Sequence, residues 1–327
     1  MPTKTFLEAI RDTLSDEMAR DERVFVMGED VGNTGGVFRA TEGLQQKFGA
    51  ARVIDAPLAE LAIIGVAIGA AAVGLRPVAE IQFADFIHPA FDQIVNEAAK
   101  MRYRTNGAWT CPLVIRTPYG GGIHGGLYHS QSIEAFFCHV PGLKVVAPCT
   151  PADAKGLLAA AIRDPDPILF LEHKKLYRSI KGEVPDGDYV LPIGRADVKR
   201  AGSDVTALAY GAMLHETLTA AEVLARENID VEVVDLRTLQ PLDRETILAS
   251  VRKTSKVCII HEDTKTMGLG AELAALISED AFLDLDAPIR RVTGPDLPGI
   301  PFNDVGEHAF LPNAEKIADA LRALAKY

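Results

Sequence analysis

The chain is 327 residues long, with 48% hydrophobic and 24% charged content, the profile of a globular protein long enough for roughly two domains. Its formal net charge of −11, with Arg102 and Arg104 nearly alone as a basic pair, argues against nucleic acid or an anionic membrane as the partner, since either would need basic patches to offset phosphate. Four cysteines, at 111, 138, 149 and 258, show no CxxC or other metal spacing and build no disulfide framework, which points to a reducing cytoplasm.

In chain order, residues 5–20 have helical periodicity and alternating charge, without the apolar core of an export signal. Apolar, β-rich runs follow at 24–31 (VFVMGEDV), 52–58 (RVIDAPL), 76–83 (RPVAEIQF), 112–119 (PLVIRTPY), 143–149 (LKVVAPC) and 167–173 (PILFLEH), with helical patterns at 59–74, 86–103 and 152–163. Within this series, LAIIGVAIGAAAVGL (61–75) is uncharged and contains GxxxG. It is shorter than the ~20 residues that cross a bilayer, and its small residues predict a helix packed inside the protein. Residues 181–202, KGEVPDGDYVLPIGRADVKRAG, lose the rhythm and read as a linker. A second series then opens with runs at 204–211, 231–239, 256–263 and 288–296, again alternating with helices. The predicted fold class is α/β: two domains with mainly parallel sheets, at 1–180 and 203–327.

Ligands of open parallel sheets bind beyond the carboxyl ends of the strands. That rule selects 55–60, 82–86, the loop 120–132 (GGGIHGGLYHSQS) and His173. The loop's glycines permit close backbone approach, and His124 and His129 are candidates for proton transfer near neutrality or for plain loop hydrogen bonds. Ser132 is expected to cap the next helix, with Glu134 in its first turn. Glu60 opens the most apolar helix. The helix dipole alone accounts for a carboxylate there, and so does a desolvated carboxyl poised to share a proton; the residues leave both open.

Other chemistries fit poorly. GGGIHG at 120–125 matches GxGxxG, but no immediate strand-to-helix turn follows it. There is no GxxxxGK[ST], no HExxH and no GxSxG.

The ordered set GEDVGNTGGVFRATEGL, DAPLAE, AEIQFADFIHPAFDQIVNEAAKMRYR, GGIHGGLYHSQS, DAKGLLAAAIRDPDPILFLEHKKLYR and VDLRTLQPLD resembles the β subunits of thiamine-diphosphate-dependent 2-oxo acid dehydrogenases from residue 4 to the C-terminus. The resemblance implies a transketolase-like pyrimidine-binding domain followed by a transketolase C-terminal domain. It gives Glu60 the role of hydrogen-bonding the aminopyrimidine nitrogen, so that the imino tautomer deprotonates the thiazolium carbon. It places Leu58, Gln82 and Phe86 beside the pyrimidine; many relatives have Tyr where Phe86 stands, which would leave stacking without a hydroxyl. It makes His129 the acid in acyl transfer to a lipoyl group.

The resemblance also implies a potassium ion held by the carbonyls of Leu113, Val114 and Ala161 with Asp164 and Asp166. Thiamine enzymes bind diphosphate through Mg²⁺ on a GDG motif, and none occurs here. An α subunit is therefore expected to carry the metal, in an α₂β₂ heterotetramer that passes its acyl group to a lipoyl acyltransferase. The run Glu279, Asp280, Asp284 and Asp286 is a candidate docking surface for that partner, or a solvated face. The loop and the late HEDTKTMG and DLDAPIRRVTGPDLP segments favour branched-chain 2-oxo acids such as 2-oxoisovalerate, with pyruvate or acetoin as alternatives and a non-catalytic docking subunit as the rival outside enzymology.

Overall fold

A computed structural model describes all residues from 1 to 327. They form two units: Met1–Tyr119 with Phe136–Ile193, and Gly120–Ala135 with Gly194–Tyr327.

The first unit opens with β1 (Thr3–Thr5) and a helix over Phe6–Arg20 that starts in a capping box. Thr5 Oγ1 accepts the Glu8 N–H at 3.1 Å, and Glu8 Oε2 accepts the Thr5 N–H at 2.7 Å, so two otherwise orphaned donors are satisfied reciprocally. Phe6, Ile10, Leu14 and Met18, four apart, line the buried face. The central sheet is built from β2 (Val24–Gly28), β3 (Val53–Asp55), β4 (Arg76–Glu80), β5 (Val114–Tyr119), β6 (Lys144–Val146) and β7 (Ile168–His173). These six run in the order β6-β7-β5-β4-β2-β3, all parallel. The residues of β2, β5 and β7 are buried throughout, as expected of strands covered on both faces.

β8 (Lys181–Glu183) lies antiparallel to β1, and in the second unit β9 (Asp197–Arg200) pairs antiparallel with β11 (Val231–Asp235). The 181–202 stretch thus contributes two edge strands as well as connection. They are short and polar, with no apolar run to announce them. The second unit continues through β10 (Val205–Ala209), β11 (Val231–Asp235), β12 (Thr238–Gln240), β13 (Val257–Thr264) and β14 (Arg290–Gly294). Its sheet has the order β14-β13-β10-β11-β9. The loop 120–135 belongs to this unit, although it follows a strand of the first.

Two helical expectations need correction. The pattern at 86–103 is not one helix: it comprises 3₁₀ turns at Ala84–Phe86 and His88–Ala90, a π-helical stretch at Gln93–Ala98 and a single α turn at Met101–Arg104. Pro89 has no N–H to continue an α-helical ladder and stands at the start of the 3₁₀ turn His88–Ala90, so the run does not continue as one α-helix there. The apolar segment 61–75 forms a helix over Glu60–Ala72, but it is buried on one side only. Ile63, Ile64, Ala67, Ile68 and Ala71 face the core, whereas Leu61, Val66 and the following Val73 are 51%, 59% and 80% exposed. No helix of the structure is long and apolar enough to cross a membrane.

Candidate active site

Strands β3, β2 and β4 are neighbours, with Gly28 in register with both Asp55 and Glu80. The residues just beyond their carboxyl ends therefore share one edge: Glu29 after β2, Leu58 and Glu60 after β3, Gln82 and Phe86 after β4. This brings the four residues expected around the pyrimidine to one end of one sheet. Glu60 is the first residue of its helix, behind Ala59, which makes no side-chain cap, and it is 8% exposed. Gln82 Nε2 donates to the Glu29 carbonyl at 3.5 Å and to Asp30 Oδ2 at 3.4 Å. The Phe86 ring is half-buried and packs edge-to-face on Phe83, with centroids 5.6 Å apart. Leu58 is 80% exposed.

Sequence reasoning did not single out Glu29. Burial raises its carboxyl above the usual range, and the nearby charges of Glu60 and Asp30 raise it further. The signal was present: an acid follows the all-apolar run VFVMG at the end of the strand between the other two.

Beneath this edge, Arg116 is fully buried in a charge cluster. Its Nε and Nη2 donate to the Glu172 oxygens at 2.6 and 2.8 Å, its Nη1 donates to Glu80 Oε2 at 2.7 Å, and the Tyr177 hydroxyl donates to Glu172 Oε2 at 2.6 Å. This arrangement ties β4, β5 and β7 together at their carboxyl ends. His173 is 1% exposed and packed edge-to-face against Tyr119 at 5.0 Å, so it belongs to the packed interior.

The glycine–histidine loop of the second unit is held through its main chain. Gly120 N–H donates to the Gln131 carbonyl at 3.0 Å, and Gly121 N–H donates to Glu262 Oε2 at 2.9 Å. Gly122 and His124 donate their N–H groups to Glu307 at 2.8 Å and at 3.1 and 3.2 Å, while His124 Nδ1 lies 2.8 Å from Glu307 Oε2. The turns require left-handed backbone at Gly120, Gly122, His124 and Gly126. His129 is half-buried, and a Cβ on Gly125 would stand 2.7 Å from its carbonyl oxygen. Ser132 is not the expected cap, because its hydroxyl is buried without a hydrogen-bond partner. Glu134 accepts the Tyr210 hydroxyl at 2.6 Å, and burial, then the charge of Asp263, pushes its carboxyl up to about 8.

The residues expected to hold potassium are already engaged. The Leu113 carbonyl accepts the Ile168 N–H at 2.9 Å, Val114 lies within β5, and the Ala161 carbonyl accepts the Asp164 N–H at 3.3 Å. Lys144 Nζ lies 2.7 Å from both Asp164 oxygens, and Arg102 Nε lies 2.5 Å from Asp166. No cluster of three or more His, Cys, Asp or Glu side chains could hold a metal ion.

Comparison with known proteins fits this layout. Residues 3–180 match the transketolase pyrimidine-binding domain and residues 194–317 the transketolase C-terminal domain. Over all 327 residues, and the whole of the relative, the chain is 57% identical to the 2-oxoisovalerate dehydrogenase subunit beta of Bacillus subtilis. The chain is a member of the transketolase-like family of 2-oxo acid dehydrogenase β subunits. Within that family it is 52% identical to the mitochondrial 2-oxoisovalerate dehydrogenase subunit beta 2 of Arabidopsis thaliana, over 98% of this chain and 88% of that one. It is 49% identical to the pyruvate dehydrogenase E1 component subunit beta of Bacillus subtilis, over the full length of both. A solved structure described as a split-gene transketolase, inactive β4 tetramer, superposes with a TM-score of 0.80 at 26% identity, covering 98% of each chain.

Proposed function

We propose that this family member is the β subunit of a cytoplasmic branched-chain 2-oxo acid dehydrogenase, holding the pyrimidine end of thiamine diphosphate and working with an α subunit that holds Mg²⁺ and diphosphate. The observation that carries the reading is Glu60: a buried carboxylate at the head of a helix, at the joined ends of β3, β2 and β4, with Glu29 raised beside it. A buried carboxyl with few competing donors fits a pyrimidine ring nitrogen. Phe86 offers a ring for stacking, and Gln82 offers an amide.

Bound thiamine diphosphate supplies a nucleophilic carbon and an electron sink for decarboxylation. Glu60 would hydrogen-bond the ring nitrogen and so select the reactive tautomer, with the Glu29 carboxyl, raised by burial, beside it. His129 serves as the acid for the lipoyl acceptor. Leu58 and Leu61 are exposed apolar residues beside Glu60, and Val66 and Val73 carry the exposed apolar side of the same helix on toward its far end, a face of the kind a partner subunit covers.

A potassium ion at Leu113, Val114, Ala161, Asp164 and Asp166 would add charge to a corner that Lys144 and Arg102 already neutralise. The carbonyls each keep a second lone pair beyond the hydrogen bond they accept, so potassium binding here remains part of the proposal. The acidic run proposed for acyltransferase docking is reduced in charge, because Arg244 is paired with Asp280 and Arg252 with Asp284; Glu279 and Asp286 remain for a basic partner.

Branched-chain substrates are favoured over pyruvate by the relatives' names, 57% identity against 49%. The test is Glu60→Gln in the co-expressed α/β pair, assayed with 3-methyl-2-oxobutanoate and with pyruvate. Turnover falls on the order of a hundredfold or more if Glu60 activates the cofactor. An unaffected rate would support the docking-subunit reading, and a preference for pyruvate would reassign the substrate.

A further inference from the structure

We infer that Glu307 is a positioning residue for acyl transfer: it anchors the glycine–histidine loop and so sets where His129 stands. This rests on the role of His129 proposed above.

The loop places left-handed residues at 120, 122, 124 and 126, which turns its N–H groups toward one side and makes a concavity suited to an anion. Here the anion is part of the chain. Glu307, 3% exposed, accepts from Gly122 and His124 through the main chain and faces the His124 ring nitrogen, while Glu262, 6% exposed, accepts from Gly121. Charge-assisted bonds of this kind are short and strong; the one to Gly121 is buried and those to Gly122 and His124 are partly buried.

The anchor is itself fixed. Glu307 lies in a helix over Asp304–Phe310 whose start is capped by Asn303, with Oδ1 accepting the Gly306 N–H at 2.7 Å. That helix also carries Phe310, which is clustered with Ile300 and Leu311. The loop is seated closely on this segment. A Cβ on Gly121 would stand 3.0 Å from Ile300 and 3.1 Å from Leu311, and one on Gly299 would stand 2.5 Å from Leu127. Between anchor and histidine there is little slack, because a Cβ on Gly125 would already stand 2.7 Å from the His129 carbonyl oxygen, and the Gly120 N–H is bonded to the Gln131 carbonyl.

The step served is reductive acylation. An acyl–sulfur bond forms as the dithiolane S–S bond breaks, the two electrons left by decarboxylation pass to the disulfide, and His129 delivers a proton to the departing sulfur. Proton delivery depends on sub-ångström placement, and a shift of 1 Å costs about a hundredfold. Decarboxylation read with an artificial electron acceptor does not use that proton.

The experiment compares Glu307→Ala, Glu307→Gln and His129→Ala in the α/β pair. Three readouts are taken: hydrogen exchange of the peptide spanning 120–131, kcat and KM for a lipoyl acceptor, and decarboxylation with an artificial acceptor. Glu307→Ala is expected to speed exchange at Gly122 and His124 and to lower kcat for acyl transfer about tenfold more than decarboxylation, with the acceptor KM little changed. Glu307→Gln keeps an oxygen acceptor for the two N–H groups and should recover most of both. Unchanged exchange in Glu307→Ala overturns the anchor. Faster exchange with both half-reactions intact, or falling together, overturns the positioning role. If His129→Ala leaves acyl transfer untouched, the histidine assignment fails, and with it the catalytic half of the proposal, while the exchange data still judge the anchor.

Discussion

Glu134 shows how one buried carboxyl links stability to pH. It is fully enclosed, accepts the Tyr210 hydroxyl and sits near Asp263, whose own carboxyl burial pushes up to about 6. Its folded-state value of about 8 lies above the ordinary 4.5, so between those limits the native chain keeps a proton that the unfolded chain has released. Stability therefore falls as pH rises through that window, by an amount on the order of a few kcal/mol if the group acts alone. Glu134→Gln, which cannot ionise, should unfold near the wild-type temperature at pH 5 and at a higher temperature at pH 9, as followed by calorimetry at the two values. A variant no more stable at pH 9 than the parent would show that the enclosed carboxyl carries no such cost. The sequence placed Glu134 in a helix's first turn, where the structure has it. What it could not convey was enclosure, because the residues around Glu134 come from β13 and from Tyr210, more than seventy positions away. Glu29 and Glu60 were closer to legible, since Glu29 directly follows an apolar strand and Glu60 opens the apolar helix that comes after another, and strand ends are where such sheets put chemistry.

Among the elements, the continuous apolar runs of β2, β5 and β7 were legible because parallel strands covered on both faces need apolar residues at every position. The edge strands β8 and β9 were not, having three and four residues and no such need. The helix Glu60–Ala72 exposes a different limit. Hydrophobicity around its whole circumference says that every face meets something apolar, but not whether the cover belongs to this chain. One face meets the core, and the other, through Leu61 and Val66, meets nothing in this chain that buries it. On the proposed reading an α subunit covers it. Val66→Glu should then leave the isolated chain's unfolding free energy within about 0.5 kcal/mol, as a surface change does, while weakening assembly with the α subunit in sedimentation velocity. Unaltered assembly would free this face from the interface.

For the molecule as a whole, the informative feature is a mismatch between the two ends of one cofactor. The chain carries a pyrimidine-binding domain over residues 3–180, yet its 327 residues contain no GDG for a metal-bound diphosphate. A ligand that binds only the native state stabilises it by RT ln(1 + [L]/Kd), about 2.7 kcal/mol at roughly a hundred times Kd. The size of that term depends on how much of the ligand is gripped. If this chain supplies only the pyrimidine contacts, thiamine diphosphate with Mg²⁺ should leave its thermal midpoint unmoved at millimolar ligand, yet raise the midpoint of the co-expressed α/β pair by several degrees, the gain depending on Mg²⁺. Glu60→Gln in the pair should remove part of that rise without abolishing it, because on the proposed division the diphosphate and metal contacts belong to the other subunit and persist. A full shift in the isolated chain would place a diphosphate site within these 327 residues, and the division of labour between subunits would then have to be abandoned.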